Sequence, residues 1–368
     1  MAAIKVMTIL GTRPEIIRLS EVIKALDKSP AFDHTLVHTG QNYDYELNEI
    51  FFKDLGLRQP DVFLNAAGSS PMETIGSMLS KVDGVLAEMM PDAVLILGDT
   101  NSALCAIAAK KRHIPIFHME AGNRSFDERV PEETNRRIVD HISDFNLPYS
   151  DIAREYLLRE GIAPQRIIKT GSPMYEILHA HMDQFKASPI VSNLGLSKDE
   201  YFLVSAHREE NVSNEEGFKD LMETLDALAS TYQLPVIVST HPRTRKMIEQ
   251  HQLKLNPLIR FEKPFGFIDY IKLQMDAKCV LSDSGTISEE TSILGLKALN
   301  IRYSHERPEA MEEGTVMMVG LKKDRILNGM QNLSKSMHVQ VNDYQSPNVS
   351  EKVTTIIMSY YKDYITNY

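Results

Sequence analysis

Residues 114–141 read IPIFHMEAGNRSFDERVPEETNRRIVDH. The stretch opens on an apolar run, IPIFHM, turns polar at EAGN, and then sets four arginines among carboxylates. A short β-branched run followed by a polar end and a helical segment is the unit of a parallel α/β sheet. The same unit recurs along the chain. IKVMTIL, HTLVHTG, AVLILGD, IPIFHM, DFNLPYS and RIIKTGS read as six strands, and EYFLVSAH, LPVIVSTH, IRFEKP, KCVLSDS, KALNIR and VMMVG as six more. Segments with helical spacing lie between most of them, such as PEIIRLSEVIKALDK, SMLSKVDGVLAEMM and GFKDLMETLDALASTY.

Between the two sets, HMDQFKASPIVSNLGLSKDE is polar, contains Pro and Gly, and reads as a linker. The expected architecture is therefore α/β, with two doubly wound Rossmann-like domains whose parallel sheets face each other across a cleft. The domains are set at residues 1–172 and 173–348. The segment 349–368 reads as an amphipathic helix that packs back on the N-terminal domain.

Whole-chain properties agree with an ordinary globular protein. A length of 368 residues accommodates about two domains, and 43% hydrophobic with 24% charged residues does not indicate disorder. The N-terminal apolar run is too short for a signal peptide, and no run approaches a membrane span. Cys105 and Cys279 lie far apart in apolar segments, which fits buried thiols in a reducing cytoplasm and makes the sequons at Asn332 and Asn348 irrelevant. A net charge of −10 argues against nucleic-acid and anionic-membrane partners, so any anionic ligand must meet a local positive field.

Ligands of open parallel sheets bind beyond the carboxyl ends of the strands. Here those ends carry a repeated mixture of Gly, Arg, His and acid: GTRPE, TGQNYD, GDTN, EAGN, GSP, AHREEN, THPRTR and SDSG. The Ser284-Gly285-Thr286 turn should open a helix whose free N–H groups face a phosphate, although it reads equally as simple N-capping by Ser284. His207 and Arg208, then His241, Arg243 and Arg245, together with Arg13 and Arg18, supply local positive charge suited to a diphosphate. Glu290 is placed to accept from ribose hydroxyls. Asp99, Glu120, Glu132 and Glu133 are candidate working acids, with Arg124, Arg136 and Arg137 as alternative ion-pair partners.

GTRPE, GDTN, EAG followed by PEETNRR, GSP, AHREEN, SDSGTISEE and ERPE occur in this order across nearly the whole chain. Together they resemble the non-hydrolysing UDP-N-acetylglucosamine 2-epimerases, which have a GT-B fold. Within that family, HTGQNYDYELNEIFF, EAGNRSFDERVPEETNRR, YSDIAREYLL, SAHREENV and STHPRTR look most like the UDP-N-acetyl-L-fucosamine synthase branch. Its members invert C2 of UDP-2-acetamido-2,6-dideoxy-L-talose for capsule or O-antigen assembly. The resemblance implies catalytic roles for Asp99, Glu120, Glu132 and His207. It implies phosphate binding by Arg13, and nucleotide binding by Ser284, Gly285, Glu289 and Glu290. Arg18, Arg208, Asn211, His241, Arg243, Thr286 and Arg307 complete the expected binding set, and a homodimer is implied. Three positions depart from the family pattern: Arg18 stands where Lys is usual, Thr286 replaces a second Gly, and Gln41 is followed by Asp44 where bacterial relatives carry the TGQH segment that helps bind an activating sugar nucleotide.

Chemistry supports an elimination route. A C2–H beside an acetamido group is not acidic, and the chain has no GxGxxG for a nicotinamide that would oxidise a neighbouring carbon. No DxD, HExxH or CxxC pattern suggests a metal, so neither metal nor cofactor is expected. The competing readings are a GT-B glycosyltransferase, a non-catalytic sugar-nucleotide sensor, a hydrolysing epimerase, and the ordinary epimerase that makes UDP-N-acetylmannosamine.

Overall fold

The computed structural model describes residues 2–41, 45–206, 215–240, 247–248, 255–333 and 339–361. The chain forms two compact units, one of residues 1–180 with 342–368 and the other of residues 181–341.

The first unit is built on β1 (Ile4–Leu10), β2 (Phe32–His38), β3 (Val62–Phe63), β4 (Ala93–Leu97), β5 (Ile116–Met119) and β6 (Phe145–Leu147). They form one sheet in the order β3-β2-β1-β4-β5-β6, with every pair parallel. β4, β5 and β6 are buried along their whole length. Helices cover both faces of such a sheet, which is why these strands read as unbroken apolar runs rather than as alternation. The strand order reverses between β1 and β4, so GTRPE and GDTN flank the switch point where ligands of such sheets bind.

RIIKTGS does not become a strand. Ile167 makes a single bridge to Asn146, and Gly171 at φ +86° turns the chain away. The sixth strand is instead the two-residue β3 at the opposite edge, too short to leave a period in the sequence. Helix Val349–Tyr360 packs on helix Arg13–Lys28, its Tyr360 ring 4.7 Å from Phe145, while Ser350 N–H donates to Glu176 at 2.9 Å. The division after Ala180 lies beyond the expected 172, because helix Met174–Ala180 also packs on helix Arg13–Lys28.

The second unit uses β7 (Phe202–Ser205), β8 (Val236–Ser239), β9 (Ile259–Glu262), β10 (Cys279–Ser282), β11 (Ala298–Asn300) and β12 (Met317–Met318). Their order is β12-β11-β10-β7-β8-β9, again all parallel. All six occur where the apolar runs place strands. The reversal falls between β7 and β10, whose ends carry AHREEN and SDSG. Cys105 and Cys279 are free and buried, and burial pushes the Cys105 thiol up to about 12. Among the described residues no helix is long and apolar enough to cross a membrane, and no group of three His, Cys, Asp or Glu is arranged to hold a metal ion.

Candidate active site

In the first unit the acids converge through strand register. β4 and β5 pair Leu97 with Met119, so Asp99 and Glu120 emerge side by side, two residues and one residue beyond that pair. Neighbouring strands lie ~4.8 Å apart, which brings the two segments together without any side-chain search. Glu120 sits at φ +64°, a left-handed turn that a non-glycine residue adopts only when its surroundings hold it there.

Helix Pro131–Ile142 docks on the end of β4 by two residues of one face. Asn135 Nδ2 donates to the Asp99 carbonyl at 2.9 Å, and Arg136 donates to the Asp99 carboxylate through Nη2 and through Nε at 3.0 Å. Glu132 lies three and four residues before them, hence on the same face. It is half-buried and, among the described residues, has no ion-pair or hydrogen-bond partner.

Glu133 has a different role. Its buried carboxylate takes Arg136 Nη1 at 2.8 Å, Arg137 Nη2 at 3.2 Å and the Ser125 N–H and hydroxyl at 3.0 Å each. Burial alone would raise its proton affinity, but Ser125 and the guanidinium groups more than offset this and hold it below the usual carboxylate range. Arg136 is thus a bridge, with Glu133 fixing one side of its fork while the other side reaches Asp99.

The cations expected at the phosphates face different surroundings. Arg18, 3% exposed, places Nε 3.3 Å from Glu120 Oε2 and its guanidinium 5.6 Å from the Tyr149 ring centre. Its forked geometry serves both contacts at once, which an ammonium group would not. Arg13 is half-exposed with its guanidinium 5.9 Å from the Phe51 ring centre.

Glu15, the acid of GTRPE, is fully buried between the ends of β1 and β4. Its Oε2 accepts from Gly11 N–H at 2.7 Å, Thr12 N–H at 2.8 Å and the Thr12 hydroxyl at 3.1 Å, and its Oε1 accepts from the Thr100 hydroxyl at 2.6 Å. Burial outweighs these donors and raises its pKa to about 7. Sequence reasoning passed over it, although Thr12-x-x-Glu15 is a capping-box pattern.

Gly122, two residues past Glu120, is required by geometry. It sits at φ +81°, and a Cβ there would lie 2.4 Å from the Ala153 carbonyl oxygen. Gly122→Ala therefore costs more than about 2 kcal/mol, read as a lower denaturation midpoint, together with loss of activity from the displaced Glu120 loop. A variant with wild-type stability would show that the loop relaxes freely.

In the second unit the Ser284-Gly285-Thr286 turn follows β10 and leads into helix Ile287–Leu294. Ser284 Oγ accepts from Thr286 N–H at 3.3 Å and contacts the Thr286 hydroxyl at 2.9 Å, so the Thr that replaces the usual Gly shapes the turn itself. Gly285 is confined by Glu306, whose Oε1 would lie 2.9 Å from a Cβ, and Glu306 Oε2 in turn takes Arg302 Nη1 at 2.7 Å. The structure brings Glu289 and Arg307 together as a buried pair at 3.6 Å. Glu290 is also buried and accepts from Gln274 Nε2 at 2.8 Å. His207, Arg208, Asn211, His241, Arg243, Arg245 and Asp44 lie outside the described residues.

A family model described as UDP-N-acetylglucosamine 2-epimerase matches residues 24–358. The structure of the UDP-N-acetylglucosamine 2-epimerase from Rickettsia bellii is 49% identical, with a TM-score of 0.91 over 99% of this chain and 98% of that one. That of the Methanocaldococcus jannaschii enzyme in complex with UDP-GlcNAc and UDP is 34% identical, with a TM-score of 0.91 over 97% of this chain and 100% of that one. A UDP-2,3-diacetamido-2,3-dideoxy-D-glucuronate 2-epimerase from Pseudomonas aeruginosa is 35% identical over 327 residues, covering 88% of this chain and 90% of that protein. Two Rossmann-like, GT-B-type units that carry the ordered motifs, matched over almost their whole length, place this chain in the non-hydrolysing UDP-N-acetylglucosamine 2-epimerase family, isomerases that act at C2 of a UDP-sugar.

Proposed function

We propose that this epimerase converts UDP-2-acetamido-2,6-dideoxy-L-talose to UDP-N-acetyl-L-fucosamine by eliminating UDP and adding it back. The observation that carries the elimination route is the convergence of Asp99, Glu120 and Glu132 at the carboxyl edge of the first sheet, each from a different segment. The talose substrate rests on HTGQNYDYELNEIFF and its companion stretches.

A carboxylate removes the C2 proton, the C2–H electron pair forms the C1=C2 bond, and the C1–O bond breaks to release UDP. The neutral intermediate is a 2-acetamidoglycal. Protonation at C2 from the opposite face by a second, protonated acid and attack of the UDP oxygen at C1 complete the inversion, leaving the first acid protonated and the second ionised until proton exchange with solvent resets them. Delivery from two faces requires two different acids. Asp99 and Glu120 are each oriented by a guanidinium, whereas Glu132 is not committed to a cation among the described residues. Arg13, Arg18 and His207, with the positive end of the helix that follows Ser284, stabilise the negative charge that develops on the departing diphosphate. Arg208, Asn211, His241 and Arg243 belong to the same anion-holding set. The enzyme works as a cytoplasmic homodimer and supplies capsule or O-antigen assembly.

A second reading is favoured by the relatives from Rickettsia bellii and Methanocaldococcus jannaschii, both named as UDP-N-acetylglucosamine 2-epimerases. On that reading the product is UDP-N-acetylmannosamine. Incubation with each nucleotide in heavy water, followed by NMR of the intact sugar nucleotide, separates the two. Deuterium at an inverted C2 of the L-talose compound alone is the expected result. Inversion of the glucosamine compound alone overturns the talose assignment, and stoichiometric release of UDP without inversion overturns the epimerisation route.

A further inference from the structure

Beneath the three acids lies a buried charged cluster that touches each of their segments and that the chemistry above does not use. His118, on β5, is 0% exposed. Its Nε2 lies 2.7 Å from the carbonyl of Gly98, the residue before Asp99, and its Nδ1 lies 3.0 Å from Asp140 Oδ1. Asp140 stands near the far end of helix Pro131–Ile142, the helix that begins with Glu132. Its carboxylate faces Gly122 N–H at 3.2 and 3.3 Å, two residues beyond Glu120, and takes Arg124 Nη1 at 2.7 Å. Arg124 continues to Glu160 through Nε at 2.8 Å and Nη2 at 2.6 Å, and its Nη1 also donates to the Asn123 carbonyl at 2.7 Å.

We propose that His118 and Asp140 are positioning residues that hold the segments bearing Asp99, Glu120 and Glu132 in one catalytic arrangement. Burial would lower the proton affinity of His118, but the Asp140 carboxylate beside Nδ1 and the Gly98 carbonyl at Nε2 more than offset this and hold it above the ordinary imidazole range. Asp140 lies between Arg124 Nη1 at 2.7 Å and His118 Nδ1 at 3.0 Å. A cluster of this kind is weak evidence for stability, since burial of its charges offsets much of their attraction. What it does supply is geometry. Asp140 joins the Glu132 helix to the Glu120 loop, and His118 joins that pair to the Asp99 loop, so a shift of any one segment strains contacts to the other two.

The inference rests on the assignment of the three acids and is tested separately from it. Gln places its amide nitrogen near the position of histidine Nε2, whereas Asn places it near Nδ1. His118→Gln therefore keeps the Gly98 contact and gives up Asp140, while His118→Asn does the reverse. C2 deuterium exchange is measured on the full-length enzyme for His118→Gln, His118→Asn and Asp140→Asn, using the nucleotide sugar that wild type inverts. Values are normalised to the UDP-binding fraction by calorimetry. Displacement of a catalytic group by an ångström costs on the order of 100-fold. The expected result is a kcat 10- to 100-fold lower at nearly unchanged KM for Asp140→Asn, His118→Gln and His118→Asn alike, since each cuts the link between the Asp99 loop and the Glu132 helix. If normalised kcat stays at the wild-type level in all three, or simply follows their melting temperatures, the positioning role is overturned. If Asp99→Asn and Glu120→Gln also keep activity, the fault lies in the acid assignment instead. Should Asp140→Asn fail to fold, the Gln and Asn pair at position 118 decides alone.

Discussion

Asp99→Asn and Glu120→Gln each lower C2 inversion by 10²- to 10⁴-fold while UDP binding changes by less than about threefold. The split follows from where the two carboxylates sit. Both emerge from the first sheet at adjacent strand ends, whereas the residues proposed to hold the nucleotide, Ser284, Gly285, Glu289 and Glu290, belong to the second unit. Neither change unseats its neighbours. Arg136 loses its Asp99 contact but remains bound to Glu133 at 2.8 Å, and Arg18 loses Glu120 but keeps the Tyr149 ring. Each amide is isosteric with the carboxylate it replaces, so the site stays filled and only proton transfer is removed. C2 deuterium exchange under single-turnover conditions and calorimetric titration with UDP give the two numbers. Turnover above about 1% of wild type in both variants would overturn the acid assignment.

The parts of the fold that could be read from sequence are those in which burial covers both faces of an element. IKVMTIL, AVLILGD and KCVLSDS are continuous apolar runs because helices cover both sides of a parallel sheet. β3 escaped because two residues carry no period, and RIIKTGS misled because its β-branched pair makes one bridge before Gly171 turns the chain.

The site divides in the same way. Asp99, Glu120 and Ser284 stand out in the sequence as candidates because strand ends at a switch point are where ligands of such folds bind. The supporting groups were not. His118 sits inside an apolar run and Asp140 inside a charged helix, and sequence does not say that they meet. Arg136 was one of three arginines near several acids, and only the docking of its helix through Asn135 shows which acid it holds. Glu133 and Glu132 are adjacent in sequence and opposite in role, since one faces Ser125 and two arginines while the other shares a face with the Asp99 contacts.

Glu15→Gln removes a pH dependence of stability without disturbing the loops it joins. Glu15 has a pKa near 7 in the folded chain against 4.5 for the free side chain, and burial is the cause. Between these values the folded chain holds a proton on Glu15 that the unfolded chain has released. The unfolded state therefore binds fewer protons, and stability falls as pH rises. This group's contribution is fully present below pH 4.5 and is lost by about pH 7, on the order of 3 kcal/mol over the interval. Glutamine mimics the protonated acid. Its carbonyl can accept from Gly11, Thr12 and the Thr12 hydroxyl as Oε2 does, while its amide donates to Thr100 once that hydroxyl turns round. Wild type and Glu15→Gln should thus be about equally stable at pH 5, and the variant should be more stable by on the order of 3 kcal/mol at pH 8. Taking the difference between the two proteins cancels every other titrating group, including His118. Urea midpoints for both at the two pH values test it, and an equal gap at pH 5 and pH 8 would mean that Glu15 is ionised throughout. The ends of β1 and β4 would then be joined by a buried charge rather than by a neutral acid.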